Sequence, residues 1–166
     1  ANAPNPLTRG LVEADPRSVE RALAALRRLR ADGGTEMRAA LEQALEQLRG
    51  EAQRQIVLVT DGQIGFEDEI VELLRTELPA RSRVHVVGIG SAPNRTLTLG
   101  ASRAGRGVEI LVGNGDDAAE PAERLVRATA APVLTEIRVK GRGVVGTAPA
   151  RPRDLFAGEP LRVFVE

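Results

Sequence analysis

The chain has 166 residues, with 23 basic and 23 acidic side chains, no cysteine and one histidine, a length that holds one domain, or one domain with a small appendage, around a sizeable core. Zero net charge and only three aromatic residues, Phe66, Phe156 and Phe164, leave neither the basic footprint nor the stacking platform that a nucleic acid requires. Without cysteine there are no disulfides and no thiolate metal sites, and His85 alone excludes a zinc centre built from several histidines.

The opening "ANAPNPLTRG" has neither the basic n-region nor the apolar stretch of a signal peptide. It lacks an initiator Met and reads as a segment cut from something longer. No apolar run approaches the roughly 20 residues of a membrane span. The short apolar patch from Leu7 to Val12 is compatible with an edge strand. Asp15-Pro16 then predicts a helix start, because Asp caps well and Pro suits the first helical position. Val19, Ala22, Leu23, Leu26 and Leu29 follow helical spacing, and "DGG" at 32–34 ends the run. A second helix places Met37, Ala40, Leu41, Ala44, Leu45 and Leu48 on one face, and Gly50 stops it. "IVLV", at 56–59, is short and solidly apolar, as a strand buried on both faces should be. A third helix spans about 67–78, with Ile70, Val71, Leu74 and Leu78 inward. "RVHVVGIG" is a second buried strand, about 94–104 a further helix, and "GVEILVG" a third strand. "NGDD" caps a helix over about 118–130.

This alternation of helix and buried strand predicts an α/β layer fold: a doubly wound, mostly parallel sheet flanked by helices. The style changes after Pro132. "VLTEIRVKG" sends Thr135, Ile137 and Val139 one way and Glu136, Arg138 and Lys140 the other. After a Gly/Pro-rich stretch, "LRVFVE" alternates again. Both read as half-exposed antiparallel strands. The expected organisation is an α/β region over 1–131 and a C-terminal β extension over 132–166.

Asp61 stands directly after the apolar "IVLVT" strand, and Gly62 lets the backbone turn away. In open parallel sheets, ligands sit outside the carboxyl ends of the strands, so a functional carboxylate is reasonable there. An ordinary Asp-Gly turn explains the same residues. Thr35, in "DGGTEM", opens the second helix and serves equally as an N-cap hydroxyl. That helix leads into the Asp61 strand, which puts Thr35 at the same end of the sheet. A hydroxyl and a carboxylate on one rim are hard oxygen donors of the type Mg²⁺ selects.

"GGTEM" with its helix, then "IVLVTDG" and "VHVVGIGSAPN", together resemble a von Willebrand factor A domain. The nearer resemblance is to the type that follows a VIT domain in inter-alpha-trypsin inhibitor heavy chains and their bacterial relatives. It covers about 15–130, and the tail resembles the segment that follows the domain in that subfamily. The resemblance implies a protein-interaction or adhesion module, not an enzyme. It further implies a metal-ion-dependent adhesion site in which Mg²⁺, with Mn²⁺ or Ca²⁺ as substitutes, completes its coordination with a carboxylate of a protein partner. Thr35 and Asp61 match two of that site's three parts. The third, Asp-x-Ser-x-Ser at the end of the first, central strand, is absent from this sequence. The resemblance thus implies that the N-terminal strands are missing, leaving the sheet incomplete, cation binding weak or absent, and the Asp61 strand with an exposed apolar edge. That edge motivates the alternative, a structural fragment that pairs with a second copy or another chain. The family leans toward the cell envelope or the outside of the cell, but the chain carries no address of its own.

Other candidates have plain explanations. "GIGSAP", at 88–93, lacks the third glycine of a dinucleotide loop. Use of Asp61 as a phospho-acceptor or hydrolytic nucleophile would want a nearby Lys, and the only one, Lys140, is in the tail. Asp116 and Asp117 read as turn and cap residues. Glu67, Asp68 and Glu69 suit a helix N-terminus, although the loop before them borders the Asp61 rim. His85 reads as a hydrogen-bonded core residue.

Overall fold

The computed structural model describes residues 4, 6–8, 10–30, 36–47, 54–130 and 132–166, and the chain divides into two compact units, 1–51 and 52–166. In the first unit, α1 covers Pro16–Leu26. Its N-cap is Asp15, whose Oδ1 accepts from the Ser18 N–H at 2.6 Å, and that bond holds the Asp15 carboxyl below its ordinary pKa. The helix buries no residue, and Val19, Leu23 and Leu26 stay exposed. Helix α2 covers Met37–Glu46 and buries Met37 and Leu41. The expected "DGG" stop, Leu48 and the Gly50 terminator fall outside the described residues. So does Arg9 within the expected edge strand, whose Leu7, Leu11 and Val12 are exposed and in no strand.

The second unit is built on three parallel strands in the order β1 (Arg54–Thr60), β2 (Ser82–Ile89) and β3 (Arg106–Val112). Strand β2 lies between the other two, and its residues from Ser82 to Gly88 are all buried. That position explains the near-continuous apolar sequence, since a central parallel strand is covered on both faces. Its ladder to β3 is irregular between Val84 and Val86. There Arg106 has φ +56°, and a Cβ on Gly107 would lie 2.1 Å from the Val84 carbonyl oxygen. Only glycine allows that approach.

Helices α3 (Glu67–Glu77), α4 (Arg95–Ala104) and α5 (Ala119–Ala130) complete the layers. Helix α3 packs on α4, and Gly100 makes room for Val71. Side chains alternate across a strand, so Glu109 of β3 faces α4, where it accepts from Thr98 Oγ1 at 2.6 Å. Val108 and Ile110 face the other way and join Val87, Ala128 of α5 and Phe156 in one apolar cluster. Helices on both faces of a parallel sheet make the α/β layer fold expected from the sequence.

The C-terminal residues belong to this second unit. Phe156, 1% exposed, fills the α5-side cluster, and Asp154 takes both Nε and Nη2 of the buried Arg83 on one carboxylate oxygen, at 2.8 and 2.6 Å. A small antiparallel pair, β4 (Thr147–Ala148) and β5 (Phe164–Val165), supplies the expected change of style. The strand expected over "VLTEIRVKG" does not form. Only Leu134 makes a bridge, to Leu155, and Glu136 takes φ +52°, which interrupts an extended chain.

His85 is fully buried on the Phe156 side of β2, with the two rings edge to face at 5.5 Å. Its Nδ1 accepts from the Val108 N–H, so the neutral ring carries its proton on Nε2 and donates to Gln55 Oε1 at 2.7 Å. The Gln55 amide in turn donates to the Thr129 carbonyl of α5. Burial, aided by the charge of Arg83, lowers the His85 pKa from 6.5 to about 4. The unfolded chain therefore takes up this proton before the fold does. Stability from His85 is fully present above pH 6.5 and is lost as pH falls through the window down to about 4, by roughly 3 kcal/mol in all. Denaturant unfolding at a series of pH values checks this, with His85→Gln as comparison: the difference between the two profiles between pH 7 and 5 should carry that slope, and parallel profiles would contradict it.

Candidate functional site

The loop leaving β1 carries the sequence-derived candidate. Thr60 ends the strand, and its Oγ1 accepts from the Gly62 N–H at 2.9 Å. Asp61 is exposed, and its Oδ1 accepts from the Gln63 N–H at 3.2 Å, a local Asx turn. The other carboxylate oxygen has no partner among the described residues. Gly62 is buried at φ +82°, and a Cβ there would meet the Asn94 Cβ at 2.8 Å and the Asn94 nitrogen at 2.9 Å. Glycine is thus required twice, for the left-handed turn and for the close approach. Asp-Gly is here a tight strand-ending turn, and it also delivers a carboxylate to the rim.

Asn94 locks that turn to its surroundings. Its N–H donates to the Asp61 carbonyl at 3.2 Å, its Oδ1 caps α4 by accepting from the Thr96 N–H at 3.0 Å, and its Nδ2 donates to Glu67 Oε1 at the start of α3. One residue, through its backbone N–H and its side-chain amide, ties together the loops after β1 and β2 and the first turn of α3 at the carboxyl ends of the strands. The sequence marked Asn94 only as the start of a helix. Its capping chemistry was legible, but its bonds to Asp61 and Glu67 join segments some thirty positions apart.

Thr35 and the Gly33-Gly34 turn lie outside the described residues. Asp116 and Asp117 act as the sequence suggested: Asp116 Oδ2 accepts from the Gly113 N–H at 2.7 Å, and Asp117 Oδ1 from the Ala119 N–H at 2.9 Å at the start of α5. Among the described residues, no three His, Cys, Asp or Glu side chains gather in a group that could hold a metal ion. Nor is any described helix long and apolar enough to cross a membrane.

Comparison with known proteins gives this geometry a context. A von Willebrand factor A domain-containing protein of Dictyostelium discoideum is 30% identical over 139 residues, which is 80% of this chain and 14% of that protein. A second from the same organism is 28% identical over 135 residues, 80% of this chain and 16% of its own length. The chain thus spans about one-seventh of the relatives it matches. The crystal structure of a conserved hypothetical protein, BatB from Bacteroides thetaiotaomicron, superposes with a TM-score of 0.54 at 18% identity, covering 66% of this chain and 68% of that one. That likeness is one of fold. The sequence profile of the von Willebrand factor type A domain matches residues 2–109, and the chain belongs to that family.

Proposed function

We propose that this domain is a protein-interaction module whose working face is the rim at the carboxyl ends of β1 and β2, with Asp61 as its leading group. The observation that carries this is the exposed Asp61 carboxylate, set on a backbone that Asn94 and Gly62 hold fixed. A fixed acceptor at a strand end is suited to recognition.

The further step is a divalent cation at that rim, Mg²⁺ in the first place, bridging to a carboxylate of a protein partner. Mg²⁺ demands a near-octahedral set of oxygens. The described residues offer one free Asp61 oxygen, while Asp61 Oδ1 and Thr60 Oγ1 already accept backbone N–H groups. They do not fit a self-sufficient cation site. In this proposal Thr35 and Asp61 are contributors, and the remaining oxygens come from polypeptide other than the described residues. The finer assignment, to the type that follows a VIT domain, rests on the motif set over 15–130 and on the tail. In a longer polypeptide that includes an Asp-x-Ser-x-Ser strand, Asp61→Ala is expected to lower both Mg²⁺ affinity and partner binding by about tenfold or more, the scale of one lost charged ligand. Unchanged affinity for both, measured by calorimetry, would sink the proposal.

A second reading, a structural piece that pairs through a strand edge, draws on a separate observation. Strand β1 ends the described sheet, and Val57 and Val59 on one of its faces are 41% and 56% exposed. A terminal strand with apolar side chains is a template for pairing. Sedimentation at micromolar concentration is then expected to give a dimer that Val59→Lys dissociates, and a monomeric wild-type chain would contradict it.

A further inference from the structure

A cleft of about 250 Å³ lies between α4, β3 and the C-terminal segment, lined by Arg103, Arg151, Arg153 and Arg162 together with Leu99 and Leu161. It sits at the α4 end that leads into β3, away from the strand ends that carry Asp61. Four arginines line it in a chain whose net charge is zero. Nearby carboxylates are committed elsewhere. Glu109, which also lines the cleft, accepts from Thr98 Oγ1 on one oxygen and from Arg95 on the other. Glu159 influences Arg153, but its Oε1 is held by both Nε and Nη2 of Arg124, at 2.9 and 2.7 Å. Asp154 is held by Arg83. Among the described residues, Arg103, Arg151 and Arg162 have neither salt-bridge nor hydrogen-bond partners.

Arg153 is the built element of the cleft. Its guanidinium is half-buried and is oriented by two carbonyl oxygens, of Asp154 and Pro160, at 3.3 and 3.1 Å. Burial lowers its pKa, the charge of Glu159 opposes that effect, and the charge of Arg103 adds to it more weakly. A basic residue in the last turn of α4 suits the helix dipole, which explains Arg103. It does not explain three further arginines brought in by the tail.

We propose that this cleft binds a small organic anion, a phosphate monoester on a compact apolar body. Arginine forks match phosphate oxygens in pairs, several uncompensated cations favour a doubly charged ligand, and the leucines accept its apolar part. The volume is just below the roughly 300–1,000 Å³ of ordinary ligand pockets, which suits a small molecule. The site is independent of Asp61 and of the proposed interaction function.

Calorimetric titration with phenyl phosphate, inorganic phosphate and benzoate tests it. Phenyl phosphate is expected to bind best. Arg151→Gln and Arg162→Gln, both exposed and without partners among the described residues, are expected to weaken it about tenfold each, the scale of a lost charged hydrogen bond, with unchanged melting temperature. Arg127→Gln, the same charge loss on α5 across the sheet, is expected to leave binding unchanged. No phenyl phosphate binding at millimolar concentration overturns the proposal. So does an affinity no better than that of inorganic phosphate or benzoate, or equal weakening by Arg127→Gln, which would mean non-specific charge attraction.

Discussion

Strand β2 is the constraint on which the second unit depends. It pairs in parallel on both sides, and every residue from Ser82 to Gly88 is buried. Three of its side chains tie separate parts of the chain to it. His85 reaches Gln55 of β1 and, through it, the carbonyl of Thr129 in α5. Val87 enters the cluster with Val108, Ile110, Ala128 and Phe156. Arg83 holds Asp154 of the C-terminal segment. The last two attachments draw the tail onto the sheet, one by apolar burial and one by charge. A buried ion pair gains little net stability over an apolar pair of similar shape, but removing one partner strands the other charge. Arg83–Asp154 therefore acts mainly to fix where the tail lies.

Much of this was written in local sequence. Apolar runs marked β1, β2 and β3, helical spacing or cap residues marked the helices, and Asp15-Pro16 marked the start of α1; β1, expected to be buried on both faces, instead leaves Val57 and Val59 exposed at the end of the described sheet. The tail was misread at "VLTEIRVKG" because alternation is a local property, whereas a strand needs a partner. Only Leu134 finds one, and the left-handed Glu136 breaks the extended chain beyond it. The position of Asp61 was legible for the same reason that β1 was. Its anchoring was not, since Asn94 acts across loops that sequence spacing does not connect. The arginine cleft was wholly hidden. Its residues are spread from Arg103 to Arg162 with no motif, and only the packing of the tail beside α4 brings them together.

The two ends of the sheet present different chemistry. At the carboxyl ends of the strands, a rigid loop offers a carboxylate to something outside. Toward the other end, the tail closes a cationic cleft over α4. In the proposed function, the first is the group that meets a protein partner. The second is walled by the tail, α4 and Glu109 of β3, so the C-terminal segment lines a cleft as well as covering the sheet.

In the proposed function, Asp61 is one oxygen donor of a cation site that the described residues do not complete. The most direct measurement is calorimetric titration of Mg²⁺, and then Mn²⁺, into this chain, with Asp61→Ala as control. The expectation is no micromolar binding in either protein. Micromolar binding that Asp61→Ala abolishes would contradict it, since the cation would then find its remaining oxygens without any further polypeptide.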